Sequence, residues 1–131
     1  MKVADDRDAG EAAAVRRGLR LFNRGRYLAA NQLWEDLWRA TPPEDRAFLE
    51  GLIQLAAGLH LRTRRGGTRG AVHLLSRGLA SLEAYVPVAH DVDVQRLVAD
   101  FTAYVDWIRD LGRPHRFVDR WRVPRVHGSW R

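Results

Sequence analysis

Residues 27–54, YLAANQLWEDLWRATPPEDRAFLEGLIQ, decide the fold of this 131-residue chain. Apolar side chains recur at helical spacing before a proline-containing break and again after it. Thr41 and Glu44 have the spacing of a capping box, and Pro42 stands at the first position of the helix that follows. The stretch therefore predicts two antiparallel helices, the first ending near Ala40, joined by a short turn.

Three more helical segments surround this hairpin. They run from about Ala9 to Arg24, from the glycine-containing turn at 62–69 to Pro87, and from Asp91 or Asp93 to Leu111. No β pattern of useful length is present. We therefore predict an all-α fold, a compact bundle of about five helices built from two antiparallel helix hairpins plus a covering helix, with an irregular C-terminal tail. Small and bulky residues alternate as in tetratricopeptide helix hairpins. The alternative is that any antiparallel helix pair needs small residues at these spacings.

Composition limits the class of protein. Apolar residues make up 46% of the chain and charged residues 29%, which is typical of one globular domain. The absence of cysteine excludes disulfides, thiolate metal sites and cysteine nucleophiles. The chain shows neither an N-terminal apolar signal segment nor an apolar run of the roughly 18 residues that span a bilayer. We therefore expect a cytoplasmic protein that does not associate with membranes.

The net charge of +6 is concentrated in the C-terminal tail, residues 113–131, which we separate from a helical domain at 1–112. The tail holds six arginines and one acidic residue, Asp119. Arginines interleaved with Phe117, Trp121 and Trp130 can contact phosphates and stack on unpaired bases. The same pattern also allows a tail to wrap its own domain. We expect wrapping or a homodimer contact, with a disordered tail and nucleic-acid binding as the two less favoured alternatives.

Polar residues interrupt the apolar pattern of the central hairpin. Asn31 falls on the stripe that should be apolar, with Gln32 beside it and Glu35 one turn further on. In the following helix, Gln54 interrupts an almost wholly apolar run. Because an antiparallel hairpin brings residues equally distant from its turn together, residue 32 should lie opposite about residue 51.

With these segments in place, the chain resembles the domain-of-unknown-function family 309, which consists of small helical proteins of bacteria and archaea. The resemblance rests on LFNRGRYLAANQLWEDLWR (21–39), RAFLEGLIQLAAGLHLRTRRG (46–66) and GAVHLLSRGLASL (70–82). It implies a helical fold. It implies no activity, because the family has no assigned function.

The family's motif in the second helix reads His-Glu-x-x-Glu-x-x-Trp, where this chain has Asn31, Gln32, Glu35 and Trp38. The family shows Gln-Gly-Leu-Ile-Gln where this chain has 50–54, EGLIQ. Glutamate has thus become glutamine at 32, and glutamine has become glutamate at 50. Our hypothesis is that Gln32 and Glu50 form one hydrogen bond, in which the amide and the acid have changed places between the two helices relative to the family. The predicted polar cluster consists of Asn31, Gln32, Glu35, Glu50 and Gln54.

Three interpretations of this cluster compete. The favoured one is a buried hydrogen-bonded network that fixes the register of the two helices. The second is a ligand or peptide groove lined also by Trp34 or Trp38. The third is an altered metal or acid–base site, which is disfavoured because histidine is absent from position 31. We predict no bound metal and no cofactor.

A second candidate site is the basic turn. Arg64, Arg65 and Arg69 precede a helix N-terminus, a setting that attracts anions. A solvated turn is the alternative.

The sequence as a whole predicts a small interaction or ligand-binding module that is not an enzyme. Its partner is an unidentified protein or small molecule, or a second copy of the chain. Enzymatic activity stays open through the altered-site alternative.

Overall fold

Five α-helices account for most of the chain that the computed structural model describes, which is residues 2–111 and 122–130 without the side chains of residues 2–9, 45 and 65. The all-α prediction is confirmed. None of these helices is long and apolar enough to cross a membrane. In chain order the helices are α1 (Lys2–Asn23), α2 (Tyr27–Ala40), α3 (Arg46–Arg65), α4 (Arg69–Leu82) and α5 (Val94–Leu111).

Glycines end the first and third helices. Gly25 has a φ of 80° and Gly66 a φ of 66°, in the left-handed region that residues with a Cβ rarely adopt. The Gly66 N–H donates to the Arg62 carbonyl at 2.8 Å, which closes the last turn of α3. Helix α1 starts at Lys2, about two turns before the predicted start at Ala9.

The turn between α2 and α3 differs from the predicted capping box. Thr41 Oγ1 donates to the Leu37 carbonyl at 2.7 Å, so its hydroxyl closes α2 instead of capping α3. A short 3₁₀ turn at Pro43–Asp45 follows, without a side-chain cap, and α3 begins only at Arg46. Arg46 Nε donates to the carbonyls of Trp38 (3.1 Å) and Thr41 (2.8 Å), which ties the two helix ends together.

The contact between α1 and α2 is built around Trp34, which is fully buried. A Cβ at Gly18 would collide with the Trp34 indole, so only glycine admits the ring at this place. The indole N–H points to the Val15 carbonyl at 3.4 Å. Phe22 continues this aromatic core, with its ring centroid 6.1 Å from that of Trp34 and 5.9 Å from that of Phe101 in α5.

Helices α3 and α4 approach each other closely at glycines. A Cβ at Gly78 would lie 2.8 Å from the Gly51 carbonyl oxygen, and one at Gly51 would lie 2.6 Å from the Leu82 side chain. About two turns further along α3, Gly58 faces Leu75 in the same way. Because the position in α4 falls as the position in α3 rises, these helices run antiparallel.

A small β-hairpin that the sequence analysis did not predict connects α4 to α5. Strands β1 (Val88–Ala89) and β2 (Val92–Asp93) pair antiparallel, with Val88 opposite Asp93. Val92 also forms a bridge to Gly128, so the chain's last described segment lies beside β2.

Residues 122–130 pack on the helices. The Asn23 side chain donates to the Val126 carbonyl and accepts from the Val126 N–H, both at 2.8 Å, and Val126 is fully buried. Trp130 packs partly against the same core. The predictions for Phe117, Trp121 and four of the tail arginines (113, 116, 120 and 131) fall outside the described residues.

The α3–α4 contact makes a testable prediction about glycine. We expect Gly78→Ala to destabilise the protein by about 1–3 kcal/mol, because the added methyl meets the Gly51 carbonyl and backbone cannot move aside cheaply. Gly10→Ala is the matched control. Its Cβ would meet nothing within 4 Å, so the gain in helix propensity should stabilise the protein by roughly 0.5–1 kcal/mol. Urea unfolding monitored by circular dichroism measures both. Equal effects of the two substitutions would contradict this packing.

Candidate functional site

A polar groove lies between α2, α3 and α4, with a volume of about 470 Å³. We call it the motif groove because four of its residues stand at motif positions 35, 38, 50 and 54. Its lining consists of Glu35, Trp38, Arg39, Glu50, Ile53, Gln54 and Arg77.

Two hydrogen bonds fix α2 against α3 at the motif groove. Asn31 Nδ2 donates to the Ile53 carbonyl at 3.0 Å, and Trp38 Nε1 donates to Glu50 Oε1 at 3.1 Å. The later residue in α2 thus contacts the earlier residue in α3, which gives the antiparallel hairpin predicted from the sequence. The indole N–H thus occupies one carboxylate oxygen of Glu50.

Arg46 holds the Trp38 ring in this orientation. Its guanidinium carbon lies 4.1 Å from the centroid of the indole, within the range of a cation–π contact. The same side chain is fixed by its hydrogen bonds to the Trp38 and Thr41 carbonyls. No sequence signal singled out Arg46, because its role depends on the turn that brings it back over α2.

The motif groove contains hydrogen-bond acceptors that receive no hydrogen bond from the described residues. Gln54 Oε1 is buried and has no hydrogen-bond partner among the described residues. Glu35 is half-buried and makes neither a hydrogen bond nor an ion pair with the described residues. An unsatisfied buried acceptor costs about 1–3 kcal/mol, so a donor arriving from outside would be stabilised there.

The two cations at the edge of the groove differ. Arg39 Nη1 lies 2.8 Å from Asp36, and both side chains are exposed, so this pair contributes little to stability. Arg77 is exposed and forms no ion pair with the described part of the chain. It stands next to Gly78, whose close contact with α3 brings Arg77 to the groove. The sequence analysis did not single out Arg77, although its position beside a helix-packing glycine was a usable signal.

The structure does not bring the whole predicted polar cluster together. Glu35, Glu50 and Gln54 line one groove, and Asn31 bonds to the α3 backbone nearby. Gln32 is exposed and lines a different groove, together with His60, Thr63 and Arg64. The predicted hydrogen bond between Gln32 and Glu50 is therefore wrong. Residues 31, 35 and 38 share one face of α2, whereas residue 32 is rotated by about 100° from residue 31.

Trp34 is not a groove residue. The prediction that it could line a ligand surface is wrong, because its side chain is fully buried between α1 and α2. Trp38 is half-buried and lines the motif groove.

The predicted anion-binding arginines are not gathered at the start of α4. Arg64 lines the groove beside the start of α2, and Arg69 is exposed at the first position of α4. The side chain of Arg65 lies outside the described residues. The residue that organises this turn is Arg62, whose Nη1 donates to the Gly66 carbonyl at 2.8 Å and to Thr68 Oγ1 at 3.2 Å.

Arg62 is fully buried, which is unusual for an arginine. A sequence signal could have found it, because it continues the buried stripe of α3 through residues 48, 52, 55 and 59. Its Nε and Nη2 have no hydrogen-bond partner. The nearby Tyr104 hydroxyl is also buried without a partner of good geometry. Burial raises the pKa of the Tyr104 phenol above its ordinary value of 10.0, and the positive charge of Arg62 offsets part of that rise.

A metal-ligand set is not formed by the described side chains: no group of three or more His, Asp and Glu residues among them could hold an ion. His60 and His73 lie on α3 and α4. His90 belongs to the β-hairpin, where it stacks on Phe48. His115 is outside the described residues.

These features define a small all-helical protein with a polar groove between its second, third and fourth helices. Residues 15–74 match the model of a family described as "Domain of unknown function (DUF309)". The match covers just under half of the chain and confirms, over this segment, the resemblance found in the sequence. The segment includes every residue of the motif groove except Arg77. No curated protein matches the chain significantly.

The first prediction for the site concerns the Trp38–Glu50 hydrogen bond. A double-mutant cycle of Trp38→Phe and Glu50→Ala should give a coupling energy of about 0.5–1.5 kcal/mol, the size of one hydrogen bond. The matched cycle of Gln32→Ala and Glu50→Ala should give a coupling within about 0.3 kcal/mol, because the two residues share no hydrogen bond and line different grooves. Urea unfolding measures both cycles. A larger coupling energy in the second cycle would restore the hypothesis that residues 32 and 50 form a hydrogen bond with each other.

The second prediction concerns Tyr104. The folded protein holds its phenol protonated to a higher pH than the unfolded chain does, so stability should fall as the pH rises above about 10. Tyr104→Phe should reduce that alkaline loss. At pH 7 it should be neutral or stabilising by up to about 1 kcal/mol, because it removes an unpaired hydroxyl. Unfolding curves at pH 7 and at several values above 9 test this. An unchanged alkaline loss in the variant would contradict it.

Proposed function

We propose that this protein is a non-enzymatic interaction module whose motif groove binds a protonated amine or guanidinium group. The natural source of such a group would be a lysine or arginine side chain of a partner protein. One observation supports the proposal most directly: Gln54 Oε1 is buried at the groove without a donor, beside the carboxylates of Glu35 and Glu50.

The chemistry of the lining favours a donor with a positive charge. Ammonium and guanidinium groups carry several N–H donors and no acceptor, so they match a group of acceptors. Hydrogen bonds between a cation and a carboxylate are stronger than those between neutral groups. The exposed part of the Trp38 ring adds a surface over which a cation or its aliphatic stem can pack.

The arginines of the groove do not already fill this role. Arg39 is engaged by Asp36, and Arg46 is used to hold Trp38. Arg77 alone is close and unengaged by the described residues, so it would compete with an incoming cation for the same acceptors. Removal of Arg77 should therefore strengthen binding.

NMR titration of the full chain tests the proposal. The probes are Nα-acetyl-lysine methylamide, Nα-acetyl-arginine methylamide and the neutral analogue Nα-acetyl-norleucine methylamide. We expect the two cationic probes to shift the indole N–H signal of Trp38, assigned with Trp38→Phe, and the norleucine probe to leave it unchanged. Spermidine and a short lysine-containing peptide then distinguish a free polyamine from a protein segment.

Variants make the test specific. Gln54→Leu should weaken binding about tenfold, or ~1.4 kcal/mol. It should leave the protein as stable as before or more so, because it removes an unpaired buried acceptor. Arg77→Gln should increase affinity, and Gln32→Leu is the control outside the groove.

Two results would contradict the proposal. One is equal binding of the norleucine and lysine probes. The other is unchanged lysine affinity in Gln54→Leu. If the probes fail while a single-stranded oligonucleotide binds with steep salt dependence, the nucleic-acid alternative replaces it.

A further inference from the structure

A second cavity lies on the other side of α2 from the motif groove and has a volume of about 370 Å³. Leu37 of α2 and Thr41, which directly follows the helix, line this cavity, whereas Trp38 and Arg39 line the motif groove. Helix α1, the start of α3 and the connection from α4 to α5 complete its walls. Its size falls within the range of small-molecule pockets, roughly 300–1,000 Å³.

The walls of this cavity are largely apolar and aromatic, so we call it the aromatic pocket. Val15, Phe48 and Leu49 are buried core residues that reach it from α1 and α3. The Phe48 ring meets the Tyr85 ring edge-on, with centroids 5.2 Å apart, and the His90 ring at 4.5 Å. A planar ring placed against this wall would gain the offset or edge-to-face contacts that aromatic groups prefer.

The aromatic wall is held in place before any ligand arrives. His90 and Asp91 have φ values of 51° and 63°, which form the tight turn between β1 and β2. The Asp91 carbonyl accepts from the Ser129 N–H at 2.9 Å, so residues 122–130 brace the turn that carries His90. A preformed wall lowers the ordering cost of binding.

Charge at the pocket comes from Glu11. This carboxylate lines the cavity and has neither a hydrogen bond nor an ion pair with the described residues. The Tyr85 hydroxyl, also at the lining, has no described hydrogen bond and adds a neutral donor and acceptor. An apolar pocket with one free carboxylate suits a molecule that is apolar at one end and positively charged at the other.

We propose that the aromatic pocket binds a small molecule consisting of a planar aromatic ring and a protonated amine. The ring lies against Phe48, Tyr85 and His90, and the ammonium group pairs with Glu11. This site is independent of the motif groove and of the function proposed for it.

Three probes of one shape test the charge requirement: tryptamine (cationic), tryptophol (neutral) and indole-3-acetate (anionic). Titration of the full chain, followed through the methyl signals of Val15 and Leu49, should show tryptamine binding about two- to fivefold more tightly than tryptophol, as one partly exposed ion pair allows. Indole-3-acetate should bind most weakly. Equal affinities for tryptamine and tryptophol, or no binding of any probe at millimolar concentration, would overturn the proposal.

Variants locate the site. Glu11→Gln should reduce the tryptamine affinity to that of tryptophol and leave tryptophol binding unchanged. Glu83→Gln, at an exposed glutamate outside the lining, should change neither. Trp38→Phe should also leave tryptamine binding intact, because Trp38 belongs to the motif groove. Loss of tryptamine binding in Trp38→Phe with no effect of Glu11→Gln would show that the probe binds the other groove, and the proposal would fail.

Discussion

The close approach of Gly51 and Gly78 is the contact on which the architecture around the motif groove depends. Each glycine leaves room for the backbone of the other helix, and a Cβ at position 78 would lie 2.8 Å from the Gly51 carbonyl oxygen. The residues before them, Glu50 and Arg77, are therefore carried to the same groove from opposite helices. A carboxylate and a guanidinium share one groove because two residues without side chains meet beneath them.

Helix α2 supplies the other wall of the motif groove. One face of this helix packs into the core, and the adjacent face lines the groove. Tyr27, Ala30 and Trp34 are buried and pack the helix into the core. Asn31, Glu35 and Trp38 lie on the adjacent face, at intervals of four and three residues, and meet α3. The buried face fixes the rotation of the helix, and that rotation decides which polar side chains reach the groove. Gly18 affects the groove without contacting it, because it leaves room for the Trp34 ring, and the packing of that ring sets the rotation of α2.

Helix positions could be predicted from the sequence because apolar periodicity and glycine or proline breaks report them directly. The end of α1 just before Gly25 and the end of α2 at Ala40 follow from such signals. The pairing of Gln32 with Glu50 could not be predicted reliably, because distance from a turn gives the height of a residue along a hairpin but not its rotation about the helix axis. The capping role predicted for Thr41 was wrong for a related reason. Its hydroxyl can cap the next helix or donate back to the previous one, and the path of the turn decides that it donates to the Leu37 carbonyl. The two-residue strands were too short to produce a pattern.

The position of Asn31 bears on which chemistry the groove can perform. In the resembled family a histidine stands there, and a histidine can both donate a hydrogen bond and change charge near neutral pH. Asn31 keeps a donor, which it uses on the Ile53 carbonyl, and it cannot titrate. The ionisable groups left among the motif positions are Glu35 and Glu50, both of which are negatively charged when ionised. Asn31 cannot titrate and Gln54 Oε1 lacks a donor among the described residues, so the chemistry of the groove favours the proposed recognition of a donor from another molecule over proton transfer.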